Sequence, residues 1–169
     1  MRRSLLSLGL LFVAAAGAWA AESVVIDKAA TQLQVVDASR DRTKPKVIVH
    51  TTMATWCVAC KAELPQYSYL RSVFKPEEVA IFGLPYDEKE GADLLKAWAA
   101  SNKPSYQLLT NLTKDEISSV KRMVLTTLKI DAVPATFMTD SDGRILRARL
   151  GPPSVSEIRE LLRSQRERK

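Results

Sequence analysis

The only two cysteines of the chain, Cys57 and Cys60, stand three residues apart shortly after an apolar run, Val47-Ile48-Val49. That run reads as a buried strand. With a helix beginning at or near Cys57, the three-residue offset puts both sulfurs on one helical face, close enough to bond. Cys57 then lies among the unpaired N–H groups at the positive end of the helix, which favours its thiolate and makes it the nucleophile. Cys60, one turn deeper, is the resolving thiol.

Blander uses of the pair fit less well. Zinc takes four ligands, commonly Cys and His, and the chain offers two cysteines and a single histidine, His50. A structural bridge closing so short a loop removes little entropy from the unfolded chain. Covalent haem attachment needs a histidine directly after Cys60, where the residue is Lys61. At 169 residues the chain buries a core without disulfide staples, so the cysteines are free for redox chemistry. No metal and no cofactor is called for.

Residues 1–21 read as an export signal: Arg2 and Arg3, an apolar run from Leu5 to Ala20, and small residues at the cleavage positions in Ala18-Trp19-Ala20. Cleavage is expected near Ala20, leaving one domain over 22–169. An uncleaved membrane anchor is the rival, since about 17 apolar residues is the lower edge of a membrane span. Either version places the domain across a membrane, and the organisation reads as bacterial, hence periplasmic. The formal charge is +6, and losing Arg2 and Arg3 leaves +4. Basic residues collect only at Arg159, Arg163, Arg166, Arg168 and Lys169, which read as a solvated helix face. Nucleic acid is not indicated.

Along the chain, Val24–Ile26 and Leu33–Val36 are short strand-like runs and Asp41–Pro45 a turn. A strand is expected from Lys46 to about Thr51, then one helix from Cys57 to Phe74, kinked by Pro65. A second buried strand, Val79–Leu84, leads through the acidic loop Pro85–Glu88 to a helix over about Glu90–Ala100. Tyr106–Leu109 reads as a short extended piece. Thr113 and Glu116 form a capping-box pattern ahead of the stripe Ile117, Val120, Val124 and Leu128. Ala135–Thr139 and Arg144–Leu150, joined by Asp140-Ser141-Asp142-Gly143, make an antiparallel hairpin. A last helix starts at Ser154-Val155-Ser156-Glu157. The order gives an α/β fold, a central mixed sheet covered by helices on both faces.

The run Ala54-Thr55-Trp56-Cys57-Val58-Ala59-Cys60-Lys61-Ala62-Glu63-Leu64-Pro65, together with Val133-Pro134-Ala135-Thr136, resembles the thioredoxin-like superfamily, and within it reductases of the TlpA and ResA type. The resemblance covers roughly residues 30 to 165. It implies a thioredoxin-like fold with an extra helix-bearing segment between the second strand-helix unit and Pro134. It implies a cis Val133–Pro134 bond facing the dithiol, so that Val133 and Trp56 join Pro134 in binding substrate. It also makes Glu63 the family's active-site glutamate; one helical turn beyond Cys60, its carboxylate is placed to move protons or to raise the thiol pKa. Two departures stand out. Thr51 occupies the strand position that carries a buried acid in ordinary thioredoxins, which leaves Glu63 to stand in. Val58-Ala59 replaces the more familiar intervening pairs that tune the redox potential. His50, inside the strand run, reads as a structural histidine.

The expected activity is therefore thiol–disulfide exchange through Cys57 and Cys60 that leaves a partner protein reduced. By resemblance, the clients are of the cytochrome c maturation or copper-site assembly type, and the electron donor is a membrane conduit of the DsbD or CcdA kind. The rivals are an oxidase or isomerase that donates its disulfide, a thiol peroxidase, and a copper-binding assembly factor.

Overall fold

The computed structural model describes residues 22–27, 30, 32–37 and 45–167. The expected export signal at 1–21, most of the Asp41–Pro45 turn, Arg168 and Lys169 lie outside the described residues. Two strands, β1 (Glu22–Ile26) and β2 (Leu33–Asp37), pair antiparallel as a sheet of their own. The main sheet is built from β3 (Val47–Met53), β4 (Val79–Pro85), β5 (Gln107–Leu108), β6 (Ala135–Thr139) and β7 (Ile145–Leu150), in the order β5-β4-β3-β6-β7. β3 runs parallel to β4 and β4 to β5, whereas β6 is antiparallel to both β3 and β7.

Every residue of β3 and β4 is buried, which is why β4 reads as a near-continuous apolar run and β3 opens on one, Val47–Val49, before the buried polar residues His50, Thr51 and Thr52. Their two-residue period still sorts the side chains into two cores. Val47, Val49, Met53, Val79 and Ile81 pack on one face with Tyr67, Leu70, Trp98 and Ile158. Ile48, Ala80, Phe82 and Leu84 pack on the other with Val120, Met123, Val124 and Phe137. Val24 and Leu33 of the small hairpin join the second core.

The helices are α1 (Val58–Ala62), α2 (Leu64–Val73), α3 (Ala92–Asn102), α4 (Lys114–Leu128) and α5 (Val155–Glu167). The expected single helix from Cys57 to Phe74 is two, separated at Glu63, which stands at the N-cap position of α2 without a side-chain cap hydrogen bond, Pro65 lying in the first turn of α2. Proline has no N–H to donate and is at home where a helix begins, so the chain restarts a helix there and does not merely bend one. β5 and α4 are the segment between α3 and Pro134. The expected capping box of α4 is present: Glu116 N donates to Thr113 Oγ1 (3.3 Å), and Thr113 N donates to Glu116 Oε2 (2.7 Å). The other oxygen of Glu116 accepts from Val24 N (2.9 Å), so one carboxylate both caps α4 and ties down β1.

Gly83 is the one place in β4 where a side chain is excluded. A Cβ there would lie 2.5 Å from the Tyr106 ring. That ring stands edge-on to Tyr67, with centroids 5.4 Å apart. The β6–β7 turn closes through Gly143 N to Asp140 O (3.1 Å), with Gly143 at φ +84°, a conformation that favours glycine.

Candidate functional site

The parallel strands β3 and β4 end at the same edge of the sheet, and the loops that follow them meet there. Cys57 sits at the head of α1, bonded to Cys60, with Cα atoms 5.3 Å apart. Its backbone is extended, its N–H donates to Ala54 O (3.1 Å), and its Sγ accepts from Cys60 N at 3.0 Å. The sulfur thus takes the place of the side-chain oxygen of an ordinary N-cap. α1 has only five residues, so a direct N–H, more than a long helix's dipole, favours negative charge on Cys57. Both cysteines are only 4% exposed, so exposure does not tell them apart; this hydrogen bond does.

β6 enters the sheet beside the dithiol. The Val133–Pro134 bond is cis, and Val133 O lies 3.9 Å from Cys57 Sγ. In the disulfide that sulfur carries no proton, so the approach is a contact; in the reduced protein the thiol has an acceptor facing it. Gly151 N donates to Pro134 O (3.3 Å), and Gly151 in turn flanks Glu63, whose Oε1 would be 3.4 Å from a Cβ at that glycine.

Glu63 occupies the break between α1 and α2. Half-burial raises its carboxyl from 4.5 to about 7, against the pull of the Arg149 guanidinium, and its Oε2 is buried with no hydrogen-bond partner. Next to it, the buried Tyr67 hydroxyl is 3.2 Å from Thr136 Oγ1 and is also hydrogen-bonded to Thr51. Burial is the main cause that pushes this phenol up to about 12, so it stays protonated. Thr51 and Thr136 are cross-strand partners on β3 and β6. A neutral Thr–Tyr–Thr network therefore fills the place expected for a buried acid, and Glu63 is the titrating group of this face.

Trp56 is 60% exposed, and its indole N–H donates to Asp87 Oδ2 (2.9 Å). The Lys89 N–H and then the Trp56 bond hold the Asp87 carboxyl below the usual range. Trp56, Asp87, Lys121, Asp131 and Val133 line a groove of about 500 Å³ open to solvent beside the dithiol. His50 is fully buried, with Nε2 3.0 Å from Thr139 Oγ1 and its ring stacked on Phe82, in keeping with a structural histidine.

A family model described as the AhpC/TSA family matches residues 20–148, most of the chain. The protein belongs to the AhpC/TSA family. No curated protein matches the sequence. Among solved structures this AhpC/TSA member is similar to the thioredoxin domain of a thiol-disulfide oxidoreductase from Bacteroides vulgatus, at 20% identity over 90% of this chain and 95% of that one, TM-score 0.52. It is similar to StoA from Bacillus subtilis at 17% identity over 76% and 88% of the two chains, TM-score 0.52. A putative thiol:disulfide interchange protein DsbE from Chlorobium tepidum is 16% identical over 88% and 93%, TM-score 0.52. At these identities the likeness establishes the fold, which is thioredoxin-like. Family, fold and the Cys57–Cys60 pair together support a redox enzyme of the thiol–disulfide type.

Of the residues singled out from the sequence, Cys57, Cys60, Val133 and Pro134 come together directly, Trp56 borders the groove, and Glu63 joins them through Gly151. Sequence reasoning missed Tyr67, Thr136, Asp87 and Arg149. One signal was available for Asp87: loops at the carboxyl ends of parallel strands build the sites of α/β folds, and Asp87 lies in such a loop after β4.

Proposed function

We propose that the protein is an exported thiol–disulfide oxidoreductase that reduces disulfides of partner proteins, with Cys57 as attacking sulfur and Cys60 as resolving sulfur. The Cys57 thiolate attacks one sulfur of the client disulfide, forming a mixed disulfide and releasing the other client sulfur as a thiolate that takes up a proton. Cys60, losing its proton, attacks Cys57, regenerating the Cys57–Cys60 disulfide and freeing the second client thiol. The client gains two electrons from this protein and two protons, one matching that given up by Cys60 and one from solvent, where Cys57 left its own on becoming the thiolate. Glu63, titrating near neutrality, is the group suited to take the Cys60 proton. The Val133 carbonyl edge and the exposed Trp56 ring receive an extended client segment in the manner of strand addition.

The observation that carries this reading is the Cys60 N–H placed on Cys57 Sγ, with the Val133 carbonyl oxygen 3.9 Å from the same sulfur. Export through residues 1–21, or retention there as an anchor, places the domain in the periplasm beside a membrane electron donor of the DsbD or CcdA kind. Clients of the cytochrome c maturation or copper-site assembly type follow from the resemblance. Among the described residues no helix is long and apolar enough to cross a membrane.

The test is to express Cys60→Ser in the native host and identify what remains bound. Client proteins held through Cys57 in a bond released by dithiothreitol are the expected result. No adduct, or one that persists in Cys57→Ser, contradicts the reading. A reduction potential at or above the glutathione range reverses the direction and makes the protein a disulfide donor.

A further inference from the structure

Building on that reading of the dithiol, we propose that Glu90 is a positioning residue of the exchange site, holding the segment before Cys57 through one buried carboxylate oxygen. Glu90 lies between β4 and α3 and is 7% exposed. Its Oε1 accepts from Thr55 N at 2.7 Å and also from Thr55 Oγ1. Its Oε2 is buried without a hydrogen-bond partner. Burying a carboxylate and leaving one oxygen unsatisfied opposes folding, so the group makes poor sense as a contact for stability alone.

The bonds run on from Thr55 to the sulfur. The turn Ala54–Cys57 closes through Cys57 N to Ala54 O (3.1 Å), and Cys60 N then reaches Cys57 Sγ (3.0 Å). The same loop grips the segment at Met53, through Tyr86 N (2.9 Å), and at Trp56, through Asp87 (2.9 Å). The first of these extends the β3–β4 pairing and the second lies at the surface. Among the described residues, Glu90 is the one that takes hold of the Thr55 main chain from the interior.

This matters most in the reduced protein. While the disulfide is closed, the S–S bond fixes Cys57. Once it opens, the position of the Cys57 sulfur under the Cys60 N–H depends on the turn, and the turn depends on Thr55. Releasing Thr55 weakens the N–H bond to the thiolate. Cys57 then reacts more slowly, and the reduced form loses stability relative to the disulfide.

The test uses the full chain with Glu90→Ala, Glu90→Gln and Thr55→Val. The readouts are the rate of Cys57 alkylation by iodoacetamide at neutral pH and the equilibrium with the glutathione couple. Glu90→Ala is expected to slow alkylation about tenfold and to shift the equilibrium about tenfold toward the protein disulfide, about 30 mV. Glu90→Gln keeps an acceptor oxygen for the Thr55 N–H and restores both readouts to within about threefold of wild type. Thr55→Val loses the hydroxyl but keeps the N–H; it moves both readouts in the same direction by a few-fold and carries the test if Glu90→Ala does not fold.

A folded Glu90→Ala or Thr55→Val protein with both readouts unchanged overturns the role, as does Glu90→Gln proving as impaired as Glu90→Ala. If wild-type Cys57 itself alkylates no faster than free cysteine, the exchange reading fails. If wild type is fast and the variants match it, only the role of Glu90 fails.

Discussion

Glu63 is where single-residue chemistry is most exposed to test. Its carboxyl sits at about 7 in the folded protein against an ordinary 4.5, because half-burial disfavours the charged form more than Arg149 favours it. A carboxyl raised on folding takes up a proton, so its contribution is fully present below about 4.5 and is lost as pH rises through about 7. Thermal unfolding of the oxidised protein should therefore give a Tm that falls across that interval relative to Glu63→Gln, which has nothing to titrate. Parallel Tm–pH curves for the two proteins contradict the assignment. Glu63 could be singled out beforehand because its offset from Cys60 is a local, helical relation; so could Cys57 and Cys60. Its surroundings could not. Arg149 reaches it from β7, 86 positions away by subtraction of residue numbers, and Thr136 reaches Tyr67 from β6, contacts that only the folded sheet creates.

At the scale of elements, α1 and α2 show what periodicity leaves undecided. Pro65 is compatible with a bent helix or with a new one, and its place in the first turn of α2, after α1 has ended at Ala62, makes it the second. That break turns Glu63 into a junction residue beside Gly151, where the expectation was a carboxylate on a continuous helix face. The cap of α4 was readable, since Thr113 and Glu116 stand at the spacing the motif requires. Its second duty was not, because the bond from Val24 N to Glu116 Oε1 spans 92 positions. Thr113→Ala should cost about 1 kcal/mol in urea unfolding. Glu116→Ala should cost more, roughly 2 kcal/mol, as it also releases β1. Equal costs would show that the Val24 bond contributes nothing.

For the molecule as a whole, the layered α/β architecture follows from two buried parallel strands with helices between and after them, and those were visible as apolar runs. The sheet order and the division into two cores depend on strand pairing across the chain, which periodicity does not encode. Together they place the end of β3, the end of β4 and the start of β6 at one edge, so that a dithiol, an acidic loop and a cis-proline meet. The central claim is that this edge passes electrons to a disulfide through Cys57. It is tested most directly by mixing reduced protein with a disulfide-linked peptide, quenching with acid at short times, and mapping the products by mass. Wild type should yield the Cys57–Cys60 disulfide and free peptide thiols, with Cys60→Ser stopping at a mixed disulfide on Cys57 and Cys57→Ser inert. A Cys57→Ser protein that reduces the peptide as fast as wild type would contradict the account.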